Sequence, residues 1–365
     1  MIKKKNLLIA TGGTGGHVFP AYSLATYLCK KNYNIKFTID NRGLNYLKNY
    51  KNLNLIKIPS SPLAKNNIYR FLISIYKILY STIKSLIYLA LNRPSIIFGM
   101  GGYSSFPVCI ASAILRIKFV IYENNLIIGK ANKYLLPFAE KIFVSYKELE
   151  GVPNKYKGKI CQVGNIIREE IINPEIKFIK NNEFKDLKIL VLGGSQAAKV
   201  FAEELPIIFV KLKNSGIPIK IYQQCQSEQN EKLTEFYNKE NMDYKIFNFT
   251  DKIMDYYSKV NLVVTRSGAS VLGELINVNI PFISIPLPTS ADDHQLKNGI
   301  YYKKKKLGFL IEENDLNQSL YDLIKLIYND KSLIKSIISN QGQHSDKNTI
   351  KNINKYIEKI INEKN

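Results

Sequence analysis

The sequence predicts an α/β protein made of two doubly wound, Rossmann-like domains that face one another across a cleft. Three observations carry this reading. Short apolar runs alternate with helix-like segments along most of the 365 residues, as expected for parallel strands covered on both faces. Glycine-rich turns directly follow three such runs: Gly12-Gly13-Thr14-Gly15-Gly16-His17, Gly99-Met100-Gly101-Gly102-Tyr103 and Gly193-Gly194-Ser195-Gln196. Glycines let the backbone approach a ligand closely, and a following helix offers N–H groups and a positive dipole end. The first and third turns lie roughly 180 residues apart, about one domain length.

In order, Leu7 to Ala10 reads as a strand, Pro20 to Lys30 as a helix, and Ile35 to Ile39 and Leu55 to Ile58 as strands. Ile68 to Leu91 is a long helix, followed by a strand at Ser95 to Phe98 and a helix at Phe106 to Leu115. Strands at Phe119 to Tyr122 and Lys141 to Val144 close the first series, which pauses at Gly151 to Lys159. The second series has strands at Leu187 to Leu192, Ile219 to Tyr222, Tyr244 to Phe247, Asn261 to Val264 and Phe282 to Ile285. Its helices fall near Lys199 to Asn214 and Glu228 to Asn238. The linker is placed between Gly164 and Asp186, where Asn, Pro and Lys cluster. The tail from Leu316 is helical and broken near Gly342. The expected division is a first domain at 1–165, with a helix at about 345–365 packing back on it, and a second domain at 166–344.

Composition narrows the class. Hydrophobic residues make up 45%, enough for two cores. Four scattered cysteines show no metal-ligand spacing and fit a reducing compartment as buried hydrophobes. Net charge is +22, from 52 Lys plus Arg against 30 acids. Only six of those cations are Arg, and Lys, Asn, Ile and Tyr crowd the chain, the mark of a low-GC coding bias. The charge therefore gives no argument for nucleic acid, and no motif that reads bases is present. The residues after Met1 do not form a signal peptide. Within Ile68 to Leu91, Arg70, Ser74, Lys77, Ser81, Lys84, Ser85 and Tyr88 recur at steps of three and four. A spanning helix would not carry that stripe unpartnered. Two readings stay open: a helix packed on its own sheet, or an apolar arc rimmed by Lys65, Arg70, Lys77 and Lys84 that touches a membrane boundary.

Several residues at strand ends carry chemistry. Val18 stands where G-x-G-x-x-G needs a final small residue, yet Asp40 closes the second strand, where a dinucleotide fold would hold a ribose. A nicotinamide-dependent enzyme is therefore one rival. His17 at a helix start is a candidate general base, kept neutral by the dipole, or else a packing histidine. Arg266-Ser267-Gly268-Ala269 ends a strand and opens a helix that carries Glu274, a carboxylate able to accept from two ribose hydroxyls. Asp292-Asp293-His294-Gln295 opens the next helix; its aspartates suggest capping rather than metal ligation.

Taken together these motifs resemble the MurG family of bacterial N-acetylglucosaminyltransferases. The resemblance rests on Gly12 to Ala21, Gly101 to Pro107, Glu123-Asn124-Asn125 with Gly129 and Asn132, and Gly164-Asn165 with Arg168. It continues through Gly193 to Gln196, Arg266 to Ala269, Glu274 and Asp292 to Asn298, in the family's order over nearly the whole chain. It implies a GT-B fold and inverting transfer of GlcNAc from UDP-GlcNAc to the muramyl 4-hydroxyl of lipid I, an undecaprenyl-diphosphate-linked acceptor. His17 would be the base. Arg168 and Ser195, with Gln196 nearby, would meet the diphosphate. Thr250 to Ile253 would contact uracil, and Ala269, Ser270, Val271, Leu272, Gly273 and Glu274 would line the nucleotide. Gln295 and Asn298 would hold the sugar, while Thr14, Gly15, Gly16 and Asn125 complete the donor pocket. Gly101, Gly102, Tyr103 and Ser104 would face the acceptor. The family implies no required cofactor and no metal ligand; its partners would be an anionic membrane surface on the cytoplasmic side and other cell-wall synthesis proteins. Tyr122-Glu123-Asn124-Asn125, Ile166-Ile167, Ala197 and Gln223-Gln224-Cys225 depart from the family pattern. The rivals are a GT-B transferase with another acceptor, the nicotinamide enzyme, and a non-catalytic nucleotide-sensing membrane module.

Overall fold

The computed structural model describes residues 5–48, 50, 53–62, 67–174, 185–194 and 199–363. The first half runs β1 (Lys5–Ala10), α1 (Gly15–Lys30), β2 (Tyr33–Ile39), α2 (Asn41–Leu44), β3 (Leu55–Lys57), α3 (Ile68–Leu91) and β4 (Ile96–Gly99). It continues through α4 (Gly102–Ile114), β5 (Phe119–Glu123), α5 (Lys130–Leu135), β6 (Lys141–Val144) and β7 (Ile160–Gln162). The second half comprises α6 (Glu169–Ile172), β8 (Leu187–Leu192), α7 (Lys199–Asn214), β9 (Ile219–Gln224), α8 (Asn230–Lys239), β10 (Asp243–Phe247) and α9 (Met254–Tyr257). Then come β11 (Leu262–Arg266), α10 (Ala269–Asn277), β12 (Phe282–Ile285), α11 (His294–Lys304), β13 (Phe309–Leu310), α12 (Leu316–Asn329), α13 (Ser332–Gly342) and α14 (Thr349–Asn362).

Two parallel sheets result, ordered β3-β2-β1-β4-β5-β6-β7 and β10-β9-β8-β11-β12-β13. Each is doubly wound, and the chain divides into two compact units, Met1–Arg168 with Asp346–Asn365, and Glu169–Ser345. In the first unit one face of the sheet packs under α1 and α14, where Leu24 and Leu28 meet Ile353, Ile357 and Ile360. The other face packs under α3, α4 and α5 through residues such as Val108, Leu135 and Leu89. In the second unit Phe201, Phe209, Val264 and Ile324 share a buried core.

Helices α1 and α4 start several residues earlier than the prolines suggested. Each begins at a glycine, Gly15 or Gly102, and carries its proline, Pro20 or Pro107, at the sixth position. The helix starts thus coincide with the glycine turns, which places Gly15 to His17 and Gly102 to Ser104 in first turns.

Helix α3 turns its small residues inward. Ser74, Ser81, Ser85 and Leu89 are buried, and α4 is the helix it packs against most extensively. Ser74 and Ser85 satisfy their hydroxyls on the backbone of their own helix, at Arg70 O (2.8 Å) and Ser81 O (2.7 Å). The expected single polar stripe is therefore split, with serines inside and Arg70, Lys77 and Lys84 outside. The apolar arc faces outward: Tyr76 is 69% and Ile83 57% exposed, and Leu72, Leu79 and Ile87 are exposed beside them. Leu86 is half-buried against the α4 side of the core. Lys65 lies outside the described residues.

Candidate active site

In a doubly wound sheet, ligands bind beyond the strand C-termini where the strand order reverses. That point falls between β1 and β4 in the first unit and between β8 and β11 in the second. The turns leaving these four strands are the glycine turns at Gly12, Gly101 and Gly193 and the segment Ser267-Gly268.

In the first unit the turn after β1 is clamped by Asp40. Its Oδ1 accepts from Gly13 N (2.9 Å) and Gly43 N (2.8 Å), and Oδ2 accepts from Ser60 Oγ (2.6 Å). The Arg42 guanidinium lies 3.6 Å from Oδ2. Burial alone would raise the Asp40 carboxyl; the donors from Gly13, Ser60 and Gly43, with Arg42, more than reverse this and hold it below its usual range. Gly12 fits only because it lacks a side chain, since a Cβ there would stand 2.7 Å from Asp40 Oδ1 and 2.9 Å from Ser104 Cβ. Asp40 is thus an internal clamp and helix cap, which overturns the ribose role the nicotinamide reading gave it.

His17, half-buried, is the third residue of α1. Its imidazole lies over the second glycine turn: a Cβ on Gly102 would stand 3.3 Å from Nε2, and one on Gly101 would stand 3.7 Å from Cε1. The turn expected on the acceptor side and the candidate base therefore share one spot. Ser104 is buried beneath it and Tyr103 half-buried.

Asn125 is held by Glu123, a buried carboxylate at the end of β5. Oε1 accepts from Asn125 N (3.2 Å) and Nδ2 (2.9 Å), and Oε2 accepts from Gly129 N (2.9 Å) and Asn132 Nδ2 (3.0 Å). The segment leading to Arg168 is tied down next. Tyr122 OH accepts from Ile166 N (3.1 Å), and Asp346 Oδ1 accepts from Asn165 N (3.0 Å). Burial pushes the Tyr122 hydroxyl far above its ordinary value, so it stays a neutral donor and acceptor. The Arg168 guanidinium lies 5.4 Å from the Phe19 ring centroid on α1, two residues beyond His17.

In the second unit, Arg266 ends β11 nearly buried, paired with Glu313 and bonded to Pro286 O (3.2 Å). The turn after it is backed by Asn298, which is fully buried and donates to Ser267 O (3.1 Å). Asn298 thus supports the turn from behind. On α10, Ala269, Leu272 and Gly273 are buried, while Ser270, Val271 and Glu274 are half-buried. Ile253 is also buried, so its backbone is what it can present. Thr250 Oγ1 accepts from Lys252 N (3.1 Å). Gln295 Oε1 accepts from Leu287 N (3.0 Å), which leaves the carboxamide nitrogen as the end that can donate to a ligand. Asp292 and Asp293 both adopt φ of +54, and Asp293, although at the N-cap position of α11, makes no side-chain capping bond. Left-handed backbone at two successive non-glycine residues is costly and clusters at functional sites. Ser195 and Gln196 lie outside the described residues.

Comparison with known families decides the lineage. The model of the glycosyltransferase family 28 N-terminal domain matches residues 7–144, and that of the family 28 C-terminal domain matches residues 188–354. The chain belongs to glycosyltransferase family 28. A Pelagibacter ubique relative, named a UDP-N-acetylglucosamine–N-acetylmuramyl-(pentapeptide) pyrophosphoryl-undecaprenol N-acetylglucosamine transferase, is 33% identical over 98% of this chain and 99% of its own. One from Rickettsia felis with the same name is 34% identical over 92% and 94%. The crystal structure of Acinetobacter baumannii MurG superposes with a TM-score of 0.76 at 24% identity, covering 98% of this chain and all of that one. The fold is therefore GT-B, and the chain is a family 28 glycosyltransferase. Three contacts around these residues had no signal in the sequence: the Asp40 clamp on Gly13, Gly43 and Ser60, the Glu123 support of Asn125, and the Tyr257 hydroxyl donated to Glu274 Oε2 (3.3 Å). Each is a contact between residues whose partners only the fold brings together.

Proposed function

We propose that this chain transfers N-acetylglucosamine from UDP-GlcNAc, with inversion, to the muramyl 4-hydroxyl of lipid I, yielding lipid II. The carrying observation is the 33% and 34% identity, over 98% and 92% of this chain, with relatives named for that transfer. In this reading the second unit holds the donor. Glu274 accepts from the ribose hydroxyls, the Thr250 to Ile253 backbone meets uracil, and Ser270, Val271 and the N–H groups opening α10 line the nucleotide. Gln295 donates to the sugar, and Asn298 keeps the Ser267 turn in shape. Ser195, with Arg168 at the end of the first unit's segment, meets the diphosphate as it departs with the bonding pair. From the first unit, His17 takes the proton of the attacking 4-hydroxyl while the anomeric carbon–oxygen bond to UDP breaks. Asn125, Thr14, Gly15 and Gly16 complete the sugar's surroundings, and Gly101 to Ser104 bound the acceptor. The placement of Gly102 beside the imidazole supports the pairing of base and acceptor.

The polyprenyl acceptor lives in a bilayer, and α3 offers the matching surface. Its outward arc of Tyr76, Leu79, Ile83 and Ile87 is uncovered and flanked by Arg70, Lys77 and Lys84. In our reading α3 lies in the interface of an anionic membrane on its cytoplasmic side.

The test is turnover of radiolabelled UDP-GlcNAc with a lipid I analogue in anionic vesicles. Labelled lipid II should form, should fail to form with His17→Ala, and UDP should bind that variant as it binds wild type. Transfer to other acceptors but not to lipid I would overturn the reaction, and full activity of His17→Ala would overturn the base. Leu79→Asp/Ile83→Asp should abolish vesicle binding without loss of thermal stability; retained binding removes α3 from the membrane reading.

A further inference from the structure

The stretch Gln223-Gln224-Cys225, which departs from the family pattern, runs off the end of β9 beside the end of β10. Cys225 N donates to Phe247 O (3.1 Å), which carries the pairing of the two strands one residue past β9. A knot of side chains follows. Asn248 Nδ2 donates to Cys225 O (2.9 Å) and to Asn230 Oδ1 (3.1 Å), and Asn230 Nδ2 donates back to Asn248 Oδ1 (3.2 Å). The Cys225 thiol also donates to Asn230 Oδ1 (3.1 Å). Two carboxamides thus meet head to head, each using both its oxygen and its nitrogen, which fixes their orientation. Asn230 is the first residue of α8, so the knot ties the ends of β9 and β10 to the start of that helix.

Two residues beyond Asn248 the chain enters Thr250 to Ile253, the backbone assigned to uracil. The far end of that segment is held by packing, since Ile253, Met254 and Tyr257 are all buried. The near end is held by Asn248. We propose that Asn248 is a positioning residue for base recognition, which makes the second unit selective for uracil over cytosine. Uracil presents an N3–H donor beside the O4 acceptor, and cytosine presents an N3 acceptor beside an amino donor. Backbone N–H and C=O groups held in fixed places satisfy the first pattern and refuse the second. Hydrogen bonds weaken steeply when bent or stretched, so the discrimination lasts only while the segment stays where the knot puts it. This rests on the Thr250 to Ile253 backbone meeting uracil.

The experiment compares UDP with CDP by titration calorimetry on wild type, Asn248→Ala and Asn230→Ala. Wild type should prefer UDP by about tenfold or more, as expected for a site that must otherwise leave polar groups unpaired. Asn248→Ala should weaken UDP by about tenfold, in keeping with the net worth of one or two hydrogen bonds, and should bind CDP as wild type does. Asn230→Ala, which leaves Asn248 its bond to Cys225 O, should fall between. If wild type binds the two nucleotides alike, the uracil assignment itself falls. If wild type discriminates but Asn248→Ala keeps the preference, or weakens both nucleotides equally, Asn248 is a packing residue and the proposal falls alone. Should Asn248→Ala not fold, Asn230→Ala decides by the same two outcomes.

Discussion

Replacing Asp40 with Ala removes the acceptor of three hydrogen bonds at once, those from Gly13 N, Gly43 N and Ser60 Oγ. The Gly43 bond caps α2, and such caps are worth about 1 kcal/mol. The bonds from Gly13 and Ser60 reach a charged acceptor, where each loss costs about 1.5–3 kcal/mol. Water can enter the vacated space and recover part of this, so a net cost of about 3 kcal/mol is expected for the turn. Because two units unfold in the same chain, global denaturation is a poor measure, and local opening is the better one. Hydrogen exchange of a peptide spanning Gly12 to His17 should accelerate about a hundredfold, since 1.4 kcal/mol is tenfold. Transfer should fall as His17 loses its fixed turn. Asp40→Asn, which keeps one carbonyl oxygen, should fall between. Acid should separate the variants. The Asp40 carboxyl is held low, so its contribution is fully present above its ordinary value of about 4 and fades as pH drops through the lowered one. Wild type should lose its exchange protection over that acidic range, and Asp40→Asn should show no such step. Exchange in Asp40→Ala within threefold of wild type would refute the clamp.

Gly102→Ala puts a methyl 3.3 Å from His17 Nε2 at a φ of +71. It should lower kcat by tenfold or more while UDP affinity in calorimetry is unchanged. Glu313→Ala strands the nearly buried Arg266 charge; urea unfolding of the second unit should shift by about 2–4 kcal/mol, less than a wholly orphaned charge because Arg266 keeps Pro286 O. Ser81→Leu drives a large side chain into the buried contact face of α3 and should cost about 1–3 kcal/mol in thermal unfolding, with the outward arc and vesicle binding intact.

Much of the fold was legible because parallel strands buried on both faces write themselves as unbroken apolar runs, as Leu7 to Ala10 and Ile189 to Leu192 do. The two-residue strand β13 and the four-residue helices α2, α6 and α9 carried too little pattern to register. Pro20 and Pro107 misled because a proline is tolerated early in a helix, and here each sits a turn and a half inside. The site was legible where chemistry is local, as in the glycine turns with His17 or in Glu274 on the helix after Arg266. It was opaque where a polar group acts across the fold: Asp40 looked like a ribose ligand because its three donors come from Gly13, Gly43 and Ser60. Helix α3 illustrates a further limit, since periodicity locates an apolar arc without telling which side faces the protein. Serines small enough to let α4 approach decided that.

The last helix carries a consequence for biosynthesis. Ile353, Ile357 and Ile360 complete the packing around Leu24 and Leu28, and Asp346 fastens Asn165. While the ribosome is still making the second unit, the first must wait with that flank uncovered, an apolar strip that a chaperone could grip. A stop codon a few dozen bases early would leave the nascent lobe permanently unfinished, even though every residue of its own sheet had been translated.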